Sequence, residues 1–191
     1  MADLPHQLDL AAWTASELSQ LRMELSISDA KSPPPLPARC ELRGYELRDR
    51  EDYLRLLRCG EFGEWDLPRL DDMLAGGYAP LPREAIFFAT FYGVPIAAAC
   101  GFVRNEFGGE TPEIQLGWVV VEPKHRGQGL GKIVTHAVID FAKRRGIKRV
   151  WLGTEDPRLA AIKTYLDLGF TPRLVDDSQS SRWATLCKLL T

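Results

Sequence analysis

The stretch from Val119 to Lys132 constrains this chain more than any other. An apolar run, Val119, Val120 and Val121, is followed by glycines at 127, 129 and 131, which open directly into an amphipathic segment. Packing a helix on a strand explains one such glycine but not three at alternating positions. Glycine has no Cβ, so backbone N–H groups there can approach an anion closely. The first turn of a helix leaves N–H groups without intrahelical partners, and the helix dipole adds partial positive charge at the same end. The stretch is therefore expected to be a phosphate cradle at a helix N-terminus. Spacing narrows the ligand. A nucleoside triphosphate loop would need Gly at 126 and Ser or Thr at 133, where Arg126 and Ile133 stand. A dinucleotide fingerprint starting at Gly127 would need Gly at 132, where Lys132 stands. Both nucleotide motifs fail.

With 191 residues the chain has room for one sizeable domain with a modest appendage, not comfortably for two. Lys and Arg number 24 against 26 Asp and Glu, a net charge of −2, which argues against a dedicated nucleic-acid binder. Cys40, Cys59, Cys100 and Cys187 stand far apart, with no paired spacing and no clustered histidines. Neither a disulfide scaffold nor a metal site is expected, and a reducing cytoplasmic setting is. The first twenty residues lack the pattern of a signal peptide. Residues 85–103 carry no charge and are long enough to span a bilayer, but Tyr92, Gly93, Val94 and Pro95 interrupt them. A buried β-hairpin accounts for both features, so no membrane partner is expected.

Residues 1–40 read differently from the rest. Leu8, Ala11, Ala12, Leu18, Leu21 and Leu25 recur at roughly helical spacing, which predicts one amphipathic helix or two short ones. Lys31 to Arg39, with four prolines, can be neither helix nor ladder strand. It is expected to be a stiff linker, although its PxxPxR string (Pro34, Pro37, Arg39) also fits the pattern read by polyproline-binding domains. The main domain is expected over residues 41–191. Within it, 43–48 suits a strand, 52–59 a helix, and 66–74 a second helix with Asp66 as cap and Pro68 in its first turn. The hairpin takes 85–91 and 94–103, and another strand 113–121. A helix over 129–145 places Leu130, Ile133, Val134, Ala137, Val138 and Phe141 on one face and ends at Gly146. A strand at 149–153, a helix at 157–168 and two late strands near 171–175 and 183–188 complete a mixed α/β sheet.

The glycine loop reads R-x-x-G-x-G through Arg126, Gly129 and Gly131. Downstream, Ala161, Tyr165, Gly169 and Phe170 read A-x-x-x-Y-x-x-x-G-F. On these two motifs, in this order, the chain resembles the GNAT superfamily of N-acetyltransferases. The resemblance is strongest over 113–170, weaker over 43–103, and does not cover residues 1–40. It implies the GNAT acyl-CoA N-acyltransferase fold, a mixed and mostly antiparallel sheet flanked by helices, with acetyl-CoA as co-substrate and no metal. It also implies that the main-chain amides of Gly127, Gln128, Gly129, Leu130 and Gly131 bind the pyrophosphate of acetyl-CoA. Arg126 stands at the entrance and Lys132 is counted in the same site. The strand end Val119, Val120, Val121 would pair through free backbone groups with the pantetheine arm and the thioester carbonyl.

The implied chemistry is direct acetyl transfer to an amine. The amine must lose a proton before it attacks, the oxyanion needs a donor, and the leaving thiolate is better expelled beside an acid. The family position makes Tyr165 the acid, against the alternative of a core tyrosine. Glu113, thirteen residues before Arg126, sits at the offset where histone-acetylating members carry a glutamate base; the alternative is a solvated strand-end acid. Glu61 and Glu64 are the reserve candidates. Family members often carry Asn seven residues before the helix tyrosine, where this chain has Arg158. The acceptor-side stretches 60–66 and 104–112 hold Glu61, Glu64, Asp66, Glu106 and Glu110 against Arg104, which favours a cationic amine. A silent acyl-CoA-binding module and a transferase of longer acyl groups remain the alternatives. The oligomeric state, a homodimer included, stays open.

Overall fold

The computed structural model describes residues 20–60, 62–104 and 112–190. Its strands are β1 (Leu21–Ser26), β2 (Cys40–Gly44), β3 (Ile86–Phe91), β4 (Val94–Arg104), β5 (Glu113–Val121), β6 (Arg149–Thr154) and β7 (Thr171–Arg173). The helices are α1 (Arg50–Cys59), α2 (Leu67–Leu74), α3 (Leu130–Arg144), α4 (Leu159–Asp167) and α5 (Ser178–Leu190). The strands form one sheet in the order β2-β3-β4-β5-β6-β1-β7, antiparallel throughout except between β5 and β6. Most boundaries fall within a few residues of those the sequence predicts. Asp66 caps α2 by accepting from the Arg69 N–H at 2.9 Å, as its position before Leu67 and Pro68 requires. The β3–β4 hairpin closes through Tyr92 and Gly93, at φ 49° and 82°, the two positive values of a type I′ turn.

Alternate residues of the strands feed two cores. Ile86, Phe88, Ala98, Cys100 and Phe102 face α1 and α2, packing with Tyr53, Leu57 and Leu70. Ala89, Ala97, Ala99, Ile114 and Leu116 face the other way and pack with apolar side chains of α3, including Ile133, Val134 and Val138.

Two expectations fail, and they fail together. The helix drawn through Leu21 and Leu25 is strand β1, because a spacing of four satisfies both periods and buried Met23 between them decides for two. β1 lies inside the sheet, between β6 and β7, so the sheet recruits residues that precede Glu41. The late strand expected over 183–188 lies instead within α5. Asp176 accepts from the Ser178 N–H at 2.9 Å, and Gln179, Arg182, Trp183 and Leu186 bury one helical face. The amphipathic helix expected at the N-terminus otherwise lies outside the described residues.

Arg182 anchors α5 with a bidentate pair to Asp156, at 3.0 and 2.5 Å, both side chains almost fully buried. Removing one partner of such a pair strands the other charge. Asp156→Ala is expected to cost about 3–5 kcal/mol in denaturant unfolding. A loss under about 1 kcal/mol would show that apolar packing of Trp183 and Leu186 holds α5 without the pair.

Candidate active site

β5 and β6 pair only at Ile114–Val150 and Gln115–Trp151, although both strands run on for several residues. Beyond that point the neighbours diverge and the sheet forks. On its other side β5 stays paired with β4 as far as Ala97–Val121, with one irregularity. Cys100 pairs with Gly117 and Ala98 with Val120, so Trp118 and Val119 together oppose Ala99. This is a β-bulge, and Trp118 takes φ 50° within it. A bulky residue in the left-handed region is rare and persists only where its surroundings enforce it. The aromatic rings do so here. Phe62, Trp65 and Tyr78 surround Trp118 at centroid distances of 5.2, 5.0 and 6.3 Å.

From the fork the chain turns through Glu122 to the glycine loop. Glu122 accepts from Arg55 at 3.1 Å, with Lys124 and His125 at 3.4 and 3.6 Å. Gly127 and Gly129 sit at φ 78° and 79°, conformations that glycine adopts without steric cost. Gly129 is the residue before the first turn of α3, and no side chain caps it. The first-turn amides have no acceptor from the Gly129 side chain, and Pro34 lies beside this glycine, its Cγ 2.8 Å from the site of a Cβ. A Cβ at Gly131 would stand 3.8 Å from Val121 Cγ2 and 4.0 Å from Thr164 Cγ2. The end of β5, the start of α3 and the middle of α4 thus meet at one place.

Tyr165, the residue after Thr164, is 7% exposed and stacks against Phe170 at 5.8 Å. Burial pushes its hydroxyl up to about 12, partly opposed by the charge of Arg158. Arg126 stands at the loop entrance, donating from Nε to the Val121 carbonyl and from Nη2 to the Cys59 carbonyl, both at 3.2 Å. It thereby ties the loop to the C-terminal end of α1. Lys132 reaches Asp167 at 2.7 Å, and that hydrogen bond holds the Asp167 carboxyl below its usual range.

The base candidates lie elsewhere. Glu113 is nearly buried, 3.4 Å from Arg149, at the opposite end of β5 from the cradle. Five residues separate it from Trp118, roughly 16 Å along a strand. Glu64 is exposed, Asp66 is engaged as the α2 cap, and Glu61, Glu106 and Glu110 lie outside the described residues. Arg158, in the place of the family's frequent Asn, pairs with Glu155 at 2.5 Å and lies over the Phe62 ring at 5.2 Å. Two more guanidinium groups cover this aromatic cluster, Arg69 over Trp65 at 4.4 Å and Arg104 over Tyr78 at 4.7 Å. Among the described residues the aromatic cluster is thus rimmed by arginines. The cluster itself joins residues from 62 to 118, and only the bare presence of aromatics signalled it in the sequence. His125 stacks near Phe91, His136 pairs with Asp140, and Cys100 is a buried filler whose thiol burial pushes up to about 12. Among the described residues no cluster of three or more His, Cys, Asp or Glu could hold a metal ion. No described helix is long and apolar enough to cross a membrane.

A forked sheet whose fork leads into a glycine-rich helix start offers an anion the N-terminal end of α3 beside the free edge of β5. The chain belongs to the acetyltransferase (GNAT) family, whose pattern it matches over residues 50–170. It is 31% identical to the mycothiol acetyltransferase of Thermobispora bispora over 184 residues, 91% of this chain and 61% of the relative. It is 37% identical to that of Nocardia farcinica over 183 residues, 90% of this chain and 58% of the relative. The chain therefore spans about three fifths of the length of these relatives. Among solved structures, a GCN5-related N-acetyltransferase from Sphaerobacter thermophilus superposes with TM-score 0.64 at 18% identity, covering 80% of this chain and 48% of that one. An aminoglycoside N-acetyltransferase in complex with CoA superposes with TM-score 0.62 at 23% identity, covering 75% of this chain and 95% of that one. These likenesses bear out the fold expected from the sequence.

Proposed function

We propose that this chain transfers an acetyl group from acetyl-CoA directly to an amine. The observation that carries the reading is the meeting of Val121, Gly131 and Thr164 at the fork of the sheet, with Tyr165 the next residue of α4. Amides of Gly127 to Gly131 hold the pyrophosphate, and the fork side of Val119–Val121, where Arg126 already takes the Val121 carbonyl, receives the pantetheine arm and polarises the thioester carbonyl through a backbone N–H. The amine nitrogen attacks that carbonyl as its proton passes to a base, and collapse of the tetrahedral adduct expels the thiolate, which takes the Tyr165 proton. Relatives named as acetyltransferases support the acetyl group over a longer chain. The setting we assign is cytoplasmic, in keeping with four cysteines that are all free thiols. The unit that carries the activity includes β1 (Leu21–Ser26), since that strand is part of its sheet.

A thiol-release assay with acetyl-CoA and a panel of amines tests the reading. Turnover with at least one amine is expected, and tight CoA binding without any release would favour a silent module. In the same assay Glu113→Gln is expected to lower kcat by roughly 10²-fold or more if Glu113 takes the amine proton. An unchanged kcat would assign Glu113 to its pairing with Arg149 alone and pass the base role to Glu61 or Glu64.

A further inference from the structure

The proline-rich segment is more than a linker. The Lys31 N–H donates to the Leu168 carbonyl at 3.0 Å, just past the end of α4. At the far end of the segment, the Tyr92 N–H donates to the Arg39 carbonyl at 3.3 Å, and the Arg39 guanidinium covers the Tyr92 ring. Between these anchors the segment passes the cradle, where Pro34 Cγ would stand 2.8 Å from a Cβ at Gly129. The prolines keep this strap extended, so its ends are held with little entropy left to lose.

The strap brings Lys31 to a place already rich in cations. Lys132, in the first turn of α3, pairs with Asp167, and Lys163 precedes Asp167 by one turn of α4. All three ammonium groups act on the Asp167 carboxyl, Lys132 most strongly. One carboxylate needs one cation. Three lysines against Asp167 and the nearby Asp29 leave positive charge in excess, and Lys132 directly follows Gly131 of the cradle. Acetyl-CoA carries one phosphate besides its pyrophosphate, a monoester on the ribose, close to doubly charged at neutral pH. Resting on the acetyl-CoA reading above, we infer that Lys31, Lys132 and Lys163 form a second anion site that takes the 3′-phosphate of CoA. The strap, which lies outside residues 50–170, thereby becomes part of the co-substrate site.

Calorimetry on the full chain with CoA and with 3′-dephospho-CoA tests this, because the two differ by that phosphate alone. The unmodified protein is expected to bind CoA about tenfold more tightly than the dephospho form, a preference that weakens with added salt. Lys31→Ala and Lys163→Ala, at exposed positions, are each expected to cut the preference by about two- to fivefold. Asp167→Asn should raise it, an effect that loss of packing would not produce. Equal affinity for the two ligands, or a preference untouched in the Lys31→Ala, Lys163→Ala double variant, would overturn the site while leaving the cradle in place. Failure to bind either ligand would bring down the acetyl-CoA reading as well.

Discussion

Gly129→Trp is expected to abolish acetyl-CoA binding, to below what calorimetry detects. Gly129 immediately precedes α3 at φ 79°, and its missing side chain keeps the amides of the first turn uncovered. An indole there would occupy the volume the pyrophosphate needs and push against Pro34, which stands 2.8 Å from the site of a Cβ. The substitution also carries a backbone penalty of about 1–2 kcal/mol for an L-residue in the left-handed region. Gly146 separates the two effects. It sits at φ 72° past the other end of the same helix, and a Cβ there would meet nothing within 4 Å. Gly146→Trp should therefore carry the same backbone penalty while keeping wild-type affinity. Wild-type affinity in Gly129→Trp would refute the cradle.

The cradle was legible because its physics is local: an apolar strand, glycines at fixed offsets and a helix within fourteen residues. The bulge beside it was not. A glycine at 118 would have announced the left-handed backbone, but Trp118 carries no such mark and is held there by Phe62, Trp65 and Tyr78. Those contacts join residues forty or more positions apart, and single-sequence periodicity does not see them. The same limit governs the sheet's far side. Nothing local pairs Leu21–Ser26 with Arg149–Thr154, and nothing local matches Asp156 to Arg182. Trp183 and Thr185 favour strand by propensity, yet burial of Gln179, Arg182 and Leu186 on the same face makes the segment a helix. Site residues were legible in the same measure. Val121, Gly131 and Thr164, the neighbour of Tyr165, converge, whereas Glu113, found by offset alone, lies at the far end of its strand.

Tyr165→Phe is expected to lower kcat by roughly 10²–10⁴-fold with little change in acetyl-CoA affinity, the signature of a proton donor used only in the transition state. The structure also changes the pH profile that an ordinary tyrosine would give. Burial disfavours the phenolate and lifts the hydroxyl to about 12, so Tyr165 stays protonated across the whole working range. In the wild type kcat/KM should rise with pH as the base or the substrate amine loses its proton. It should then hold level with no alkaline fall below about pH 11, about one unit under the Tyr165 value of about 12. The phenylalanine variant should keep the acidic limb and lose rate uniformly along the plateau, because the missing proton is missing at every pH. A pH–rate profile with a descending limb near 10 would mean that the hydroxyl is solvated rather than buried. Wild-type kcat in Tyr165→Phe would leave the ring as packing against Phe170 and remove the tyrosine from the mechanism, while the fork and the cradle would stand.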